Sequence, residues 1–181
     1  VDVTDFGSDD RFGAYLVMEY LKGESLHGRL DREERLVVPQ ALAVALQVAE
    51  ALHSMHTDDL VHCDIKPENI FLIRTPSGRR NRIVAKLIDF GLSRNMALGA
   101  ELEMLYQLLT GQPPFVGSIP EICAAKLSRP PAPPSTLTPD PLDPQLEALI
   151  MKSLATRPED RHDSMSQLVF ELRTVSDMLG L

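Results

Sequence analysis

The succession of apolar and polar positions divides the chain into readable elements. Val1-Asp2-Val3 and Ala14-Tyr15-Leu16-Val17-Met18 read as two strands around a polar, glycine-containing stretch from Gly7 to Gly13, and the triplet Asp5-Phe6-Gly7 reads as a turn. Ser25 is placed to cap a short helix beginning at Leu26. A longer helix starts near Pro39, a residue suited to the first helical turn. Its apolar positions Leu42, Ala45, Leu46, Ala49, Leu52 and Met55 recur at helical spacing, so one face is buried. Leu60-Val61 leads into a polar stretch from His62 to Asn69, and two strand-like apolar runs follow, Ile70 to Ile73 and Ile83 to Ile88. Ala100 to Gly111 is a core helix with Leu102, Leu105 and Leu109 on one face, widened by Met104 and Leu108, and it ends in a glycine suited to a left-handed cap. Gln112-Pro113-Pro114-Phe115 stops it. Residues 129–144 hold seven prolines and read as an irregular loop, with polyproline recognition as the alternative. Asp143 and Pro144 then open a helix as N-cap and first position, with the stripe Leu146, Leu149, Ile150 and Leu154. A capping box of Ser164 with Gln167 starts the last helix, whose buried face is Leu168, Leu172, Val175 and Leu179.

Composition narrows the classes. A chain of 181 residues carries one domain with a real core. A net charge of −8 and a pI near 5.1 argue against nucleic-acid or anionic-membrane partners, which require clustered Lys and Arg. The one basic cluster, Arg79-Arg80-Asn81-Arg82, reads as a solvated loop tip. No apolar run reaches the roughly 18 residues of a membrane span, and no signal-peptide pattern opens the chain. Two cysteines make no disulfide framework, which fits a cytoplasmic setting. The chain opens on Val1, inside a strand-like run, as a fragment would. His53, His56, His62 and Cys63 fall close together. A zinc site is disfavoured, because adjacent His62 and Cys63 point apart in an extended segment instead of converging tetrahedrally.

The chemistry concentrates in His62-Cys63-Asp64-Ile65-Lys66-Pro67-Glu68-Asn69. An acid, a base and an amide stand in a loop pinned by apolar residues at both ends, so all three polar groups can be aimed at one point. Downstream, the second apolar run ends in Asp89-Phe90-Gly91. In this order the two segments resemble the catalytic loop and metal-binding triplet of protein kinases, and Lys66-Pro67-Glu68-Asn69 is similar to the serine/threonine branch in its bacterial form.

The resemblance implies a mainly α fold with a small β component (α+β). Residues 27–181 would be a kinase-like C-terminal lobe, 19–26 the hinge, and 1–18 remnant strands of the N-terminal lobe. It implies transfer of the ATP γ-phosphoryl group to Ser or Thr of a protein substrate. Asp64 would accept or orient the hydroxyl proton, Lys66 would neutralise charge on the moving group, and Asn69 and Asp89 would hold Mg²⁺ through hard oxygens. The adenine would bond the carbonyl of Glu19 and the N–H of Leu21, with Met18 at the back of the pocket, Glu24 near the ribose and Phe71 as the floor. His56 and His62 would be structural histidines.

Departures from the family pattern qualify this. Only eighteen residues precede the hinge, so the Gly-rich loop, the lysine of the third strand and its glutamate partner have no counterparts. A preorganised active-site contact is typically worth about 2.7–4 kcal/mol, so the 181 residues alone are expected to show no measurable transfer. Cys63 stands where the family commonly has Arg, the long activation segment has no counterpart after Gly91, and Arg161 lacks its family glutamate. The readings are an incomplete copy of a kinase, a non-catalytic kinase-like binding or scaffold module, and a decayed product. Intact Asp64, Lys66, Asn69 and Asp89 favour the first for the parent protein, while the missing phosphate clamp favours the second or third for these 181 residues alone.

Overall fold

A computed structural model describes residues 1–58, 60, 62, 64–77, 80–88 and 100–181. It is α+β, with a two-stranded hairpin, a three-stranded sheet and six α-helices among the described residues.

Strands β1 (Val3–Asp9) and β2 (Gly13–Met18) pair antiparallel, with Val3 opposite Met18 and Asp9 opposite Gly13. The turn is tighter than the sequence pattern implied, because the Asp9 carboxylate accepts from the backbone N–H groups of Arg11 and Phe12 and closes it. Asp5-Phe6-Gly7 therefore lies within β1 and is not a turn. Gly7 sits opposite Tyr15, where a Cβ would come within 2.6 Å of the tyrosine hydroxyl.

The second sheet has the order β3 (Gly23–Ser25), β4 (Ile70–Ser77), β5 (Arg80–Leu87), all antiparallel. Pairing of β4 with β5 continues to Ser77 opposite Arg80, so Arg80 and Arg82 of the expected loop tip are strand residues. Alternation gives the sheet two faces. Ile70, Leu72 and Leu87 are buried on one, against the helices, while Phe71, Ile73, Val84 and Lys86 lie on the other.

Helix α1 (Leu26–Glu33) starts on Ser25, whose hydroxyl accepts from Gly28 N–H at 3.0 Å. Helix α2 (Val38–Thr57) is the axis of the body. Ala41, Leu42, Val44, Ala45, Val48, Ala49 and Leu52 are all buried, and it packs on α3 (Ala100–Thr110), on α6 (Met165–Met178) and beneath β5. Gln47 of α2 extends the sheet with a side chain. Its Oε1 accepts from Ala85 N–H at 3.0 Å and its Nε2 donates to Ile83 O at 3.3 Å, so the outer edge of β5 is held to the helix.

Leu102, Met104, Leu105, Leu108 and Leu109 of α3 are buried as the pattern requires, and Gly111 takes the left-handed cap with φ 81°. The proline-rich stretch is irregular apart from one 3₁₀ turn at Pro134–Thr136, and the Tyr106 hydroxyl of α3 donates to Ala132 O to hold it. Helix α4 (Ile119–Ser128) went unread in the sequence, although Ser118-Ile119-Pro120-Glu121 carries its signal: Ser118 N–H donates to Glu121 Oε2 at 2.7 Å. Helix α5 (Pro144–Ser153) is capped by Asp143, which accepts from Gln145 and Leu146 N–H. The start of α6 departs from a full capping box. Ser164 Oγ accepts from Gln167 N–H, but Gln167 Oε1 reaches Asp163 N–H, one residue earlier than expected. Between α5 and α6, His162 is half-buried, with its side chain only 6% exposed, and bridges Ser153 Oγ and Glu171 Oε2, at 2.5 and 3.0 Å. Arg161 Nε donates to Ala155 O at 2.8 Å.

Candidate active site

Helix α2 ends at Thr57 and β4 begins at Ile70, so the loop between them is fastened at both ends to the core. Pro67–Asn69 form a 3₁₀ turn because Pro67 fixes φ and Asn69 N–H donates to Lys66 O at 3.0 Å. This turn swings Asn69 back over Asp64. Asn69 is 6% exposed, and its Nδ2 donates to both Asp64 O at 2.9 Å and Asp64 Oδ2 at 2.8 Å. Lys66 Nζ stands 2.8 Å from the same Oδ2. Three side chains that the sequence placed together thus meet on one carboxylate oxygen. Lys66 first, and Asn69 after it, hold the Asp64 carboxyl below the usual carboxylate range despite partial burial, so it is ionised at neutral pH.

The end of β5 is tied to this loop through one residue. Ile88 N–H donates to Asn69 O at 2.9 Å, and Ile88 O accepts from His62 Nε2 at 3.2 Å, so the buried His62 ring carries a proton on Nε2. The expectation of a structural role for His62 has this geometry behind it, while His53 and Leu60 are exposed. Asp89, the Asp-Phe-Gly triplet, Cys63 and the segment up to Gly99 lie outside the described residues.

On the opposite face of the sheet, Phe71 is half-buried and sits directly across from Lys86. Gly23 is required beside it, since a Cβ there would fall 2.0 Å from Leu72 O and 3.2 Å from the Phe71 ring. Glu19 precedes this edge strand. Its carboxylate takes Lys86 Nζ at 2.5 and 2.6 Å and Asp2 N–H at 2.9 Å, and these bonds, the lysine's first, hold its pKa below the ordinary glutamate value. Met18 and Leu21 flank it, Met18 exposed and Leu21 half-buried. Glu24 stands opposite Leu72, on the helix side of the sheet, and is not brought to the Phe71 face. Its carboxylate binds Arg29 Nε at 2.8 Å and Arg32 Nη1 at 2.6 Å, and the two guanidiniums, Arg32 foremost, hold its pKa at about 2. Lys86 and Gln47 were missed from the sequence. The one available signal for Lys86 was a lone charge inside an apolar strand.

A carboxylate is thus braced by a lysine and an amide, in a loop between a long buried helix and an antiparallel hairpin, as the resemblance to protein kinases implies. The comparisons agree. The protein kinase domain family model matches residues 3–104. Curated relatives include the serine/threonine-protein kinase pkn3 of Myxococcus xanthus, 30% identical over 97% of this chain and 38% of its own length. Serine/threonine-protein kinase Pkn1 of the same organism is 33% identical over 84% of this chain and 26% of its own length. The chain thus spans well under half of either relative. Among solved structures, the PknI kinase domain of Mycobacterium tuberculosis superposes with a TM-score of 0.72 at 26% identity, covering 96% of this chain and 70% of that one. The chain belongs to the protein kinase family, among bacterial serine/threonine kinases.

Proposed function

We propose that this chain supplies the catalytic lobe for transfer of the ATP γ-phosphoryl group to a serine or threonine hydroxyl of a protein substrate, in the cytoplasm. The observation that carries the reading is the meeting of Lys66 Nζ and Asn69 Nδ2 on Asp64 Oδ2. With Oδ2 so engaged, Oδ1 is the oxygen offered to the substrate hydroxyl. Asp64 takes the hydroxyl proton as the oxygen forms its bond to the γ-phosphorus, the bond to the bridging oxygen breaks, and ADP leaves with that electron pair. Lys66 is about half exposed, so its ammonium can follow the charge of the moving group.

The residues fit magnesium. Because Asn69 commits its Nδ2 to Asp64, the amide orientation is fixed and Oδ1, a hard oxygen, is the end available as a ligand. Asp89, next along the chain from Ile88, is the proposed second ligand. When bound, the metal neutralises charge on the nucleotide phosphates. The adenine lies on Phe71 and bonds the backbone of Glu19 and Leu21, with Met18 behind. Glu24 serves this subsite by fixing β3 to α1 through Arg29 and Arg32. An acidic net charge of −8 supports a protein substrate over a nucleic acid.

The test is phosphate transfer from labelled Mg-ATP to a serine/threonine-containing protein, using the product of the whole open reading frame. Asp64→Ala is expected to lower the rate by at least about 10²-fold, the scale of general-base catalysis. A rate unchanged in Asp64→Ala refutes the assignment.

A further inference from the structure

The N-terminal hairpin is held to the helical body in an unusual way. Every residue of β2 is exposed, and in β1 only Gly7 is even half-buried. Apolar burial therefore does not fix the hairpin. Besides a bond from the Val1 nitrogen to Leu87 O at 3.3 Å, what crosses to the body is an ion pair: Glu19, immediately after β2, grips Lys86 of β5 with both carboxylate oxygens, at 2.5 and 2.6 Å. Glu19 also closes on the start of β1, accepting from Asp2 N–H while its own N–H donates to Asp2 O at 3.0 Å. At the other end of the clasp, Lys86 is the residue directly across from Phe71, so their side chains leave the same face of the sheet about 5 Å apart at Cβ. Both side chains of the pair are less than one-third exposed, which protects them in part from solvent screening.

We infer that Glu19 and Lys86 are positioning residues, a polar clasp that sets the hinge segment Glu19–Leu21 against Phe71 and so fixes the width of the adenine subsite. The clasp stands on the geometry alone, while the ligand it serves rests on the kinase reading. Neither side chain touches the reacting atoms. Lys86 acts through Glu19, and Glu19 acts through the placing of its own backbone carbonyl.

Two readouts separate the claims. The first is amide hydrogen exchange, read by mass spectrometry, over residues 2–21 in the wild type, Lys86→Met, Glu19→Gln and the swapped pair Glu19→Lys/Lys86→Glu. Each single variant should raise hairpin exchange roughly three- to five-fold, the scale of a partly exposed ion pair, while α5 and α6 stay unchanged. The swap should restore much of the protection, and high salt should narrow the difference. Equal hairpin exchange in wild type and Lys86→Met overturns the clasp. The second is calorimetric affinity for adenosine and for pyrophosphate. Lys86→Met should weaken adenosine roughly three- to five-fold and leave pyrophosphate unchanged. Faster hairpin exchange with unaltered adenosine affinity overturns the positioning role. A wild type that binds neither probe refutes the kinase reading of the pocket, and the exchange data still decide the clasp.

Discussion

Replacing Asn69 by leucine keeps the side-chain volume and deletes the amide that folds the loop over Asp64. Two donated bonds disappear, to Asp64 O and to Asp64 Oδ2. A bond to a charged group contributes about 1.5–3 kcal/mol and a neutral one about 0.5–1.5 kcal/mol. The Asp64 side chain is 36% exposed, so water replaces much of the carboxylate bond and the low end applies there. The extra apolar burial of leucine offsets a further part, and the net loss should be about 2 kcal/mol. For a chain of this size that is a fall in Tm of about 4–8 °C. Urea unfolding followed by far-UV circular dichroism is the suitable assay, since the chain has no Trp and only three Tyr. Side-chain NMR titration of Asp64 supplies a second reading. Lys66 remains, so the carboxyl should stay below its ordinary pKa but rise relative to the wild type. A stability change under about 0.5 kcal/mol, together with an unmoved Asp64 titration, would refute the claim that Asn69 braces the acid.

Three further outcomes are expected. Stability should fall in two acid steps. Burial lowers the pKa of His162 in the fold, so the unfolded chain takes the proton first and stability is lost as pH drops below about 6.5. Glu24, held at about 2 against an ordinary 4.5, contributes stability present above pH 4.5 and lost as pH falls toward 2. Glu24→Gln should flatten the lower step and His162→Gln the upper one in pH-dependent urea melts. Gly23→Ala forces a methyl onto Leu72 O and should part β3 from β4, seen as faster amide exchange at residues 23–25 and 71–73 with α6 unaffected. The 181 residues alone should associate as concentration rises, because Phe6, Phe12 and Tyr20 are 79%, 85% and 88% exposed on or beside an open two-stranded sheet. Sedimentation velocity showing a strict monomer at high concentration would count against this, and Phe6→Lys should reduce the association.

Much of the fold was legible because helices and their ends are local matters. Asp143-Pro144 opened α5, Gly111 closed α3, and the stripes of α2, α3, α5 and α6 fell on the core side, since each depends on residues within one or two turns. Misreadings came where a side chain outside the pattern changed the backbone path. Asp9 closed the first turn early, and Gln167 bonded one residue further back than a capping box predicts. Helix α4 escaped because it has no buried residue and hence no clean apolar stripe to announce it.

The sequence alone determined the identity and order of the chemical groups: an acid, a lysine and an amide within six positions, between two apolar segments. Tertiary structure decided which atoms they share and what stands behind them. Asp64 Oδ2 as the common acceptor, the Asn69–Ile88–His62 relay, Glu24 turned to α1 and Lys86 reaching Glu19 across 67 positions all depend on contacts between segments remote in the chain. Local spacing carries no information about such contacts, because their energy exists only once the core has brought the segments together.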